Sequence, residues 1–172
     1  MRHWLVIAGI GVGSACGSDG SGPSGGEPLT TEDARSLCQD FCGHAVSCGW
    51  TTNATTCQTQ CEGSVPMFRG DGMRVWIDCE IAADCSTQNV GEACYIDPVG
   101  AISSRPIHDE YVEKCAGLAT TCPGVVVPTH TCDLDGVKMF SDSYMTSHVM
   151  PCFATSCTQV SACLETNVLD AF

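Results

Sequence analysis

The sequence predicts a mainly α fold: small disulfide-stapled helical hairpins in two related halves, with little or no strand. Three observations carry that expectation. Cysteine supplies 15 of 172 residues, a usage that belongs to chains held together by cross-links. Two cysteine pairs with identical spacing, in "LCQDFC" and "TCQTQC", each project from one side of a helix. A series of six cysteines in the first half also matches a second series of six further on, which marks an internal repeat.

Taken from the start, "MRHWLVIAGIGVGSAC" has a basic beginning (Arg2, His3), an apolar run from Trp4 to Val12, and small residues leading to Cys16. The run is too short for a permanent membrane span and reads as an export signal. Its ending, "GSAC", resembles the lipobox of bacterial lipoproteins, although Gly13 stands where Leu is usual and Val12 lies one place earlier. The resemblance covers the first 16 residues. It implies a signal peptide over 1–15, lipidation at Cys16 as the first mature residue, and a membrane partnership through that lipid anchor. The location so implied is the cell envelope, on the periplasmic or cell-surface side. The following segment, "GSDGSGPSGGEP", has the composition of a flexible linker and extends the tether over 16–29. Setting Cys16 apart leaves an even number of cysteines, enough for complete pairing.

The first disulfide-rich half is expected over 30–100. Ala34, Leu37, Cys38, Phe41, Cys42 and Ala45 follow the spacing of one helical face. Thr30 with Asp33 is a cap for the start of this helix, and Gly49 ends it. A second helix from Ala54 to Glu62, after Asn53, carries Cys57 and Cys61 on one side. Packed antiparallel, the two helices set Cys38 opposite Cys61 and Cys42 opposite Cys57. This hairpin is similar to the twin CxxxC arrangement of small oxidised helical-hairpin proteins, among them mitochondrial intermembrane-space chaperones; the likeness is geometric and spans Cys38 to Cys61. Further helices are expected from Asp71 to Ala83 (Met73, Trp76, Cys79) and from Asn89 to Tyr95.

The second half is expected over 101–172. Ser104 and Pro106 mark the start of a helix running to Leu118, with Ile107, Tyr111, Cys115 and Leu118 as its inward stripe. "CPGVVVPTHTC" reads as an extended loop with "VVV" a short strand, and Val137–Met150 and Ser156–Asn167 favour helix. Cys42, Cys48, Cys57, Cys79, Cys85 and Cys94 match, in order, Cys115, Cys122, Cys132, Cys152, Cys157 and Cys163. "VPMF" (from Val65) and "VKMF" (from Val137) fall at corresponding places. Each half then carries three bridges, and Cys38 with Cys61 makes the seventh. Cys42–Cys57 and Cys115–Cys132 are equivalent, and the other eight cysteines are left open because spacing does not fix connectivity.

The chemistry legible here is sparse. With a net charge of −13, nucleic acid is excluded as a partner. Leu, Ile, Val and Phe make up less than about a fifth of the chain from Cys16 onward, a thin core that cross-links must supplement. No CxxC occurs, which removes the usual signatures of zinc ribbons, thioredoxin-like sites and covalent haem. His44, His108, His130 and His148 are scattered without HExxH, and His148 beside Met145 and Met150 resembles a copper-binding Met/His cluster. "GPSGG" lies in the linker, "RGD" (Arg69 to Asp71) is a short chance-level match, and "DLDG" (Asp133 to Gly136) lacks the rest of a calcium loop. Trp50, Trp76 and Tyr95 are the candidate contact aromatics, Trp76 fitting a core position better.

The function expected from these features is that of a lipid-anchored, extracytoplasmic binding or structural protein of the envelope. It has no enzyme activity, no cofactor and no assigned metal ligands, and its partner is a protein or envelope ligand of unknown kind. The alternative is envelope metal handling, of copper or another cation, through Met, His or acidic side chains.

Overall fold

The computed structural model describes residues 26–87, 90–94, 98, 100–127 and 131–169. The expected signal segment, Cys16 and most of the linker lie outside the described residues, as do Tyr95 and His130.

Helix α1 spans Thr31–Ser47. The backbone N–H of Asp33 donates to Thr30 Oγ1 at 3.2 Å, and that hydroxyl donates back to the Asp33 carboxylate at 2.7 Å. Gly49, at φ +73°, turns the chain out of α1 through a conformation that side chains with a Cβ avoid. Helix α2 spans Ala54–Ser64 and is capped by Asn53, whose Oδ1 accepts from the Thr56 N–H at 3.0 Å. No residue of α2 is fully buried. What fixes it to α1 is covalent: Cys38–Cys61 and Cys42–Cys57, with Cα separations of 5.7 and 5.8 Å. A 3-10 turn, Val65–Met67, leads through Phe68 into α3, Gly70–Ala82. The Arg74–Asp33 ion pair (3.0 Å) links α3 to α1, and Cys79–Cys94 ties α4, Val90–Cys94, to α3.

Helix α5 spans Pro106–Thr121, three residues beyond the expected end, with proline in its first turn. The short α6, Leu134–Val137, precedes α7, Asp142–Tyr144, which continues as a π turn over Met145–Val149 and a 3-10 turn over Met150–Ala154. Helix α8, Cys157–Leu164, ends in a π turn, Glu165–Leu169. Two local expectations need correction. Val137–Met150 is not one helix, because Phe140 leaves helical geometry to bridge to Phe68. "VVV" forms no strand: the Val126 carbonyl accepts from the Ser161 hydroxyl at 2.8 Å instead of a ladder N–H, and Val126 is 82% exposed. Among the described residues the fold is therefore helical and strand-free, with one isolated β-bridge.

That bridge sits where the two repeats meet. The Arg69 N–H donates to the Met139 carbonyl at 2.8 Å, and the Ser141 N–H donates to the Met67 carbonyl at 2.8 Å. Phe68 and Phe140 stack with centroids 5.6 Å apart and planes within 8° of parallel. "VPMF" and "VKMF" thus pair with each other, antiparallel. Around them Val65, Met73 and Ile77 join Tyr111, Val137, Met139, Met145, Val149 and Leu164 in one buried cluster. A chain this poor in large aliphatic residues fills its interior by merging both repeats into a shared core.

The disulfides follow the same symmetry. Cys42–Cys57, Cys48–Cys85 and Cys79–Cys94 join first with third, second with fifth and fourth with sixth. Cys115–Cys132, Cys122–Cys157 and Cys152–Cys163 repeat that connectivity. Cys38–Cys61 is the additional bridge. Tyr111 stands before Cys115 as Cys38 stands before Cys42. It is fully buried, and its hydroxyl donates to the Thr131 carbonyl, so a hydrogen bond braces the second half where a covalent bond braces the first.

Candidate functional site

Helical spacing places His44 of α1 one turn before Cys48, the residue that caps the helix C-terminus. His44 Nε2 lies 3.4 Å from Cys48 Sγ. Cys48 is bonded to Cys85, which follows α3, with Cα atoms 4.9 Å apart. The ligand atoms of His44, Cys48 and Cys85 all lie within 4.8 Å of one another. His44 and Cys48 are half-buried and Cys85 is exposed. After Gly49 the Trp50 N–H donates back to the Ala45 carbonyl at 2.9 Å, which folds the indole against the imidazole edge-on at 5.1 Å.

In the bridged state this corner offers one strong ligand, the imidazole, because metal binding by cysteine requires the thiolate. Opening the bridge turns it into a Cys₂His donor set of the kind soft and borderline cations take. The second half supplies a comparison. Cys122–Cys157 is the equivalent bridge, but Gly117 follows Cys115 at the spacing with which His44 follows Cys42. The histidine belongs to one repeat only and is not demanded by the connectivity.

The Met/His grouping expected around His148 is divided by the fold. Met145 is fully buried in the core, Met150 is half-buried, and His148 is exposed, stacked on Tyr144 at 4.8 Å. The Met145 thioether and the His148 imidazole therefore face different environments, and the candidate cluster lies instead at His44, Cys48 and Cys85. His108 is wholly buried: Nδ1 accepts from the Arg105 N–H at 3.2 Å and Nε2 donates to the Phe140 carbonyl at 3.1 Å. Burial lowers its pKa, outweighing the Phe140 hydrogen bond, so it is a neutral brace between α5 and the central bridge. Arg69 of "RGD" is buried and paired with Asp71 at 2.6 Å, with its Nη1 donating to the Ser103 carbonyl at 2.8 Å. Asp135 of "DLDG" pairs with Lys138 at 2.7 Å. Trp50 is 37% exposed, and Trp76 is half-buried at the margin of the core.

Two candidate features escaped sequence reasoning, the His44–Cys48–Cys85 corner and Glu80. His44 and Cys48 share a helical face, a signal that was present; the arrival of Cys85 beside them was not readable. Glu80 is 8% exposed on α3, and nothing in its neighbourhood in sequence marks a buried acid.

The chain is a small cysteine-rich, disulfide-stapled helical protein carrying a candidate His/Cys metal-coordinating cluster. It matches no protein-family model, no curated protein and no solved structure.

Proposed function

We propose that this chain is an extracytoplasmic cation-handling protein whose centre is the His44, Cys48 and Cys85 corner. The observation that carries the reading is the approach of three donor atoms to within 4.8 Å of one another. Once the bridge is open and the two sulfurs can separate, the same three side chains can reach a zinc-like ion with ligands at about 2.0–2.3 Å. The bridge makes the site conditional. A dithiol donor supplies two electrons and two protons, becomes its own disulfide, and leaves Cys48 and Cys85 as thiols. Cation binding then releases the thiol protons to solvent. Three protein ligands leave a fourth position open, which suits uptake and release better than permanent structural holding.

Cobalt(II) added after limited dithiol treatment tests the reading. Thiolate-to-cobalt absorption should appear in the wild type, weaken with His44→Ala, and vanish with Cys48→Ser/Cys85→Ser. An absent cobalt spectrum, or one that His44→Ala leaves unchanged, refutes it.

The location rests on separate support. Seven cross-links suit an oxidising compartment, and the "GSAC" ending supports a lipid tether at Cys16. Cys16→Ser should release the protein from membranes; full retention counts against the anchor.

A further inference from the structure

A crevice of about 230 Å³ opens between α1, the end of α2 and α3, with Phe41, Ser64, Phe68, Trp76, Ile77 and Glu80 among its walls. Phe41 and Glu80 also wall an adjoining hollow that reaches Trp50. Two polar groups stand out in these apolar surroundings. Glu80 is more than nine-tenths buried, with the Trp76 indole one turn before it on α3 as its polar neighbour. Burial raises its pKa, and the nearby Trp76 N–H offsets this in part, although its approach does not close a hydrogen bond. Among the described residues that indole nitrogen is buried without a closed hydrogen bond. A carboxyl and an indole donor held together in apolar surroundings are costly, and native structures seldom keep such groups poorly satisfied without a use.

The internal repeat shows that the fold does not require the acid. Glu80 follows Cys79 directly, and Phe153 follows the equivalent Cys152. Phe41 precedes Cys42, and Lys114 precedes Cys115. The crevice of the second half is accordingly lined by Lys114 and Phe153. Where one repeat fills the position with an apolar ring packed against Tyr111 at 5.5 Å, the other keeps a carboxyl facing a cavity.

We propose that the Phe41–Trp76–Glu80 crevice binds a small organic amine, with the ammonium group against the Glu80 carboxylate and the apolar body among Phe41, Phe68 and Trp76. One ionised carboxylate has acceptor capacity for the ligand's ammonium and for the Trp76 N–H together. The aromatic walls add cation–π attraction, and the net charge of −13 draws cations toward the surface. A metal ion is a poorer fit, since Glu80 is the only carboxylate among the described residues that line the crevice and hard cations take six or more oxygens. The volume falls below the range of drug-sized sites, about 300–1,000 Å³, which limits the ligand to about a single ring or a short alkyl chain.

The experiment uses the folded chain with all bridges intact, so that it does not depend on the cation-handling corner. Phenethylamine and its neutral isostere 2-phenylethanol are titrated by calorimetry and tryptophan fluorescence at neutral pH. The amine should bind saturably and about 10- to 100-fold more tightly than the alcohol, the range expected for a charge-assisted hydrogen bond. Glu80→Gln should erase that preference. Glu80→Phe, which copies the second repeat, should close the crevice to both probes. Near-ultraviolet circular dichroism and intact mass report whether each variant keeps its fold and bridges, and Trp76→Phe provides a milder variant expected to weaken amine binding several-fold. Equal affinity for amine and alcohol, unchanged amine affinity in folded Glu80→Gln, or no saturable binding of phenethylamine, benzylamine and hexylamine overturns the proposal.

Discussion

Replacing His108 by Gln tests whether one buried imidazole sets the acid sensitivity of the fold. The ring is fully buried between α5 and the central bridge and makes two hydrogen bonds, from the Arg105 N–H and to the Phe140 carbonyl. Burial depresses its pKa below the ordinary value of 6.5. The unfolded chain therefore takes up a proton at a higher pH than the folded one. Stability from this group is complete above about pH 6.5 and is lost as pH falls through that value toward the depressed folded pKa. Across that window the loss approaches about 1.4 kcal/mol per pH unit. Glu80 works in the other sense, its raised carboxyl pKa removing stability as pH rises through the acidic range. Guanidinium unfolding of wild type and His108→Gln, with bridges intact, should be followed from pH 7.5 to 5. The wild type should lose stability below pH 6.5 with a slope that the variant lacks. The variant should also be weaker at pH 7.5 by about 1–3 kcal/mol for each hydrogen-bonded group it leaves unsatisfied. Parallel pH profiles would refute the reasoning, because a ring that shares the wild-type slope with Gln is not the titrating group.

Other expectations are more direct. Cys38→Ala/Cys61→Ala should cost about 2–4 kcal/mol and fall chiefly on α2, which has no fully buried residue; amide exchange should accelerate there before elsewhere. Phe140→Ala removes the ring stacked on Phe68 at the junction of the repeats and should cost about 3–5 kcal/mol, read as a shift in denaturation midpoint. Mass spectrometry after reduction should show a gain of two hydrogens for each of the seven bridges, and free thiols in the native protein would contradict the connectivity.

Much of the helical framework was legible because its causes are local. Thr30 and Asp33 cap α1, Asn53 caps α2, and Pro106 opens α5, each through contacts within a few residues. The antiparallel hairpin follows as well, since cysteines four apart on facing helices leave Cys38 and Cys42 few partners other than Cys61 and Cys57. The failure at Val137–Met150 has an equally clear cause. Its local periodicity favours helix, but Phe140 is drawn out of it by Phe68, more than seventy residues earlier in the chain. Sequence spacing carries no information about such a partner.

The sequence by itself determined the helices, their caps, the sixfold cysteine series and its recurrence, because these depend on neighbours three or four residues apart or on simple repetition. Tertiary structure decided which distant cysteines bond and that "VPMF" meets "VKMF". It also decided that Cys85 comes to rest beside His44, and that Glu80 faces a cavity where its counterpart Phe153 packs against Tyr111. Each of these depends on where two remote segments are brought together, and in this chain the merging of two thin repeats around Phe68 and Phe140 sets that placement.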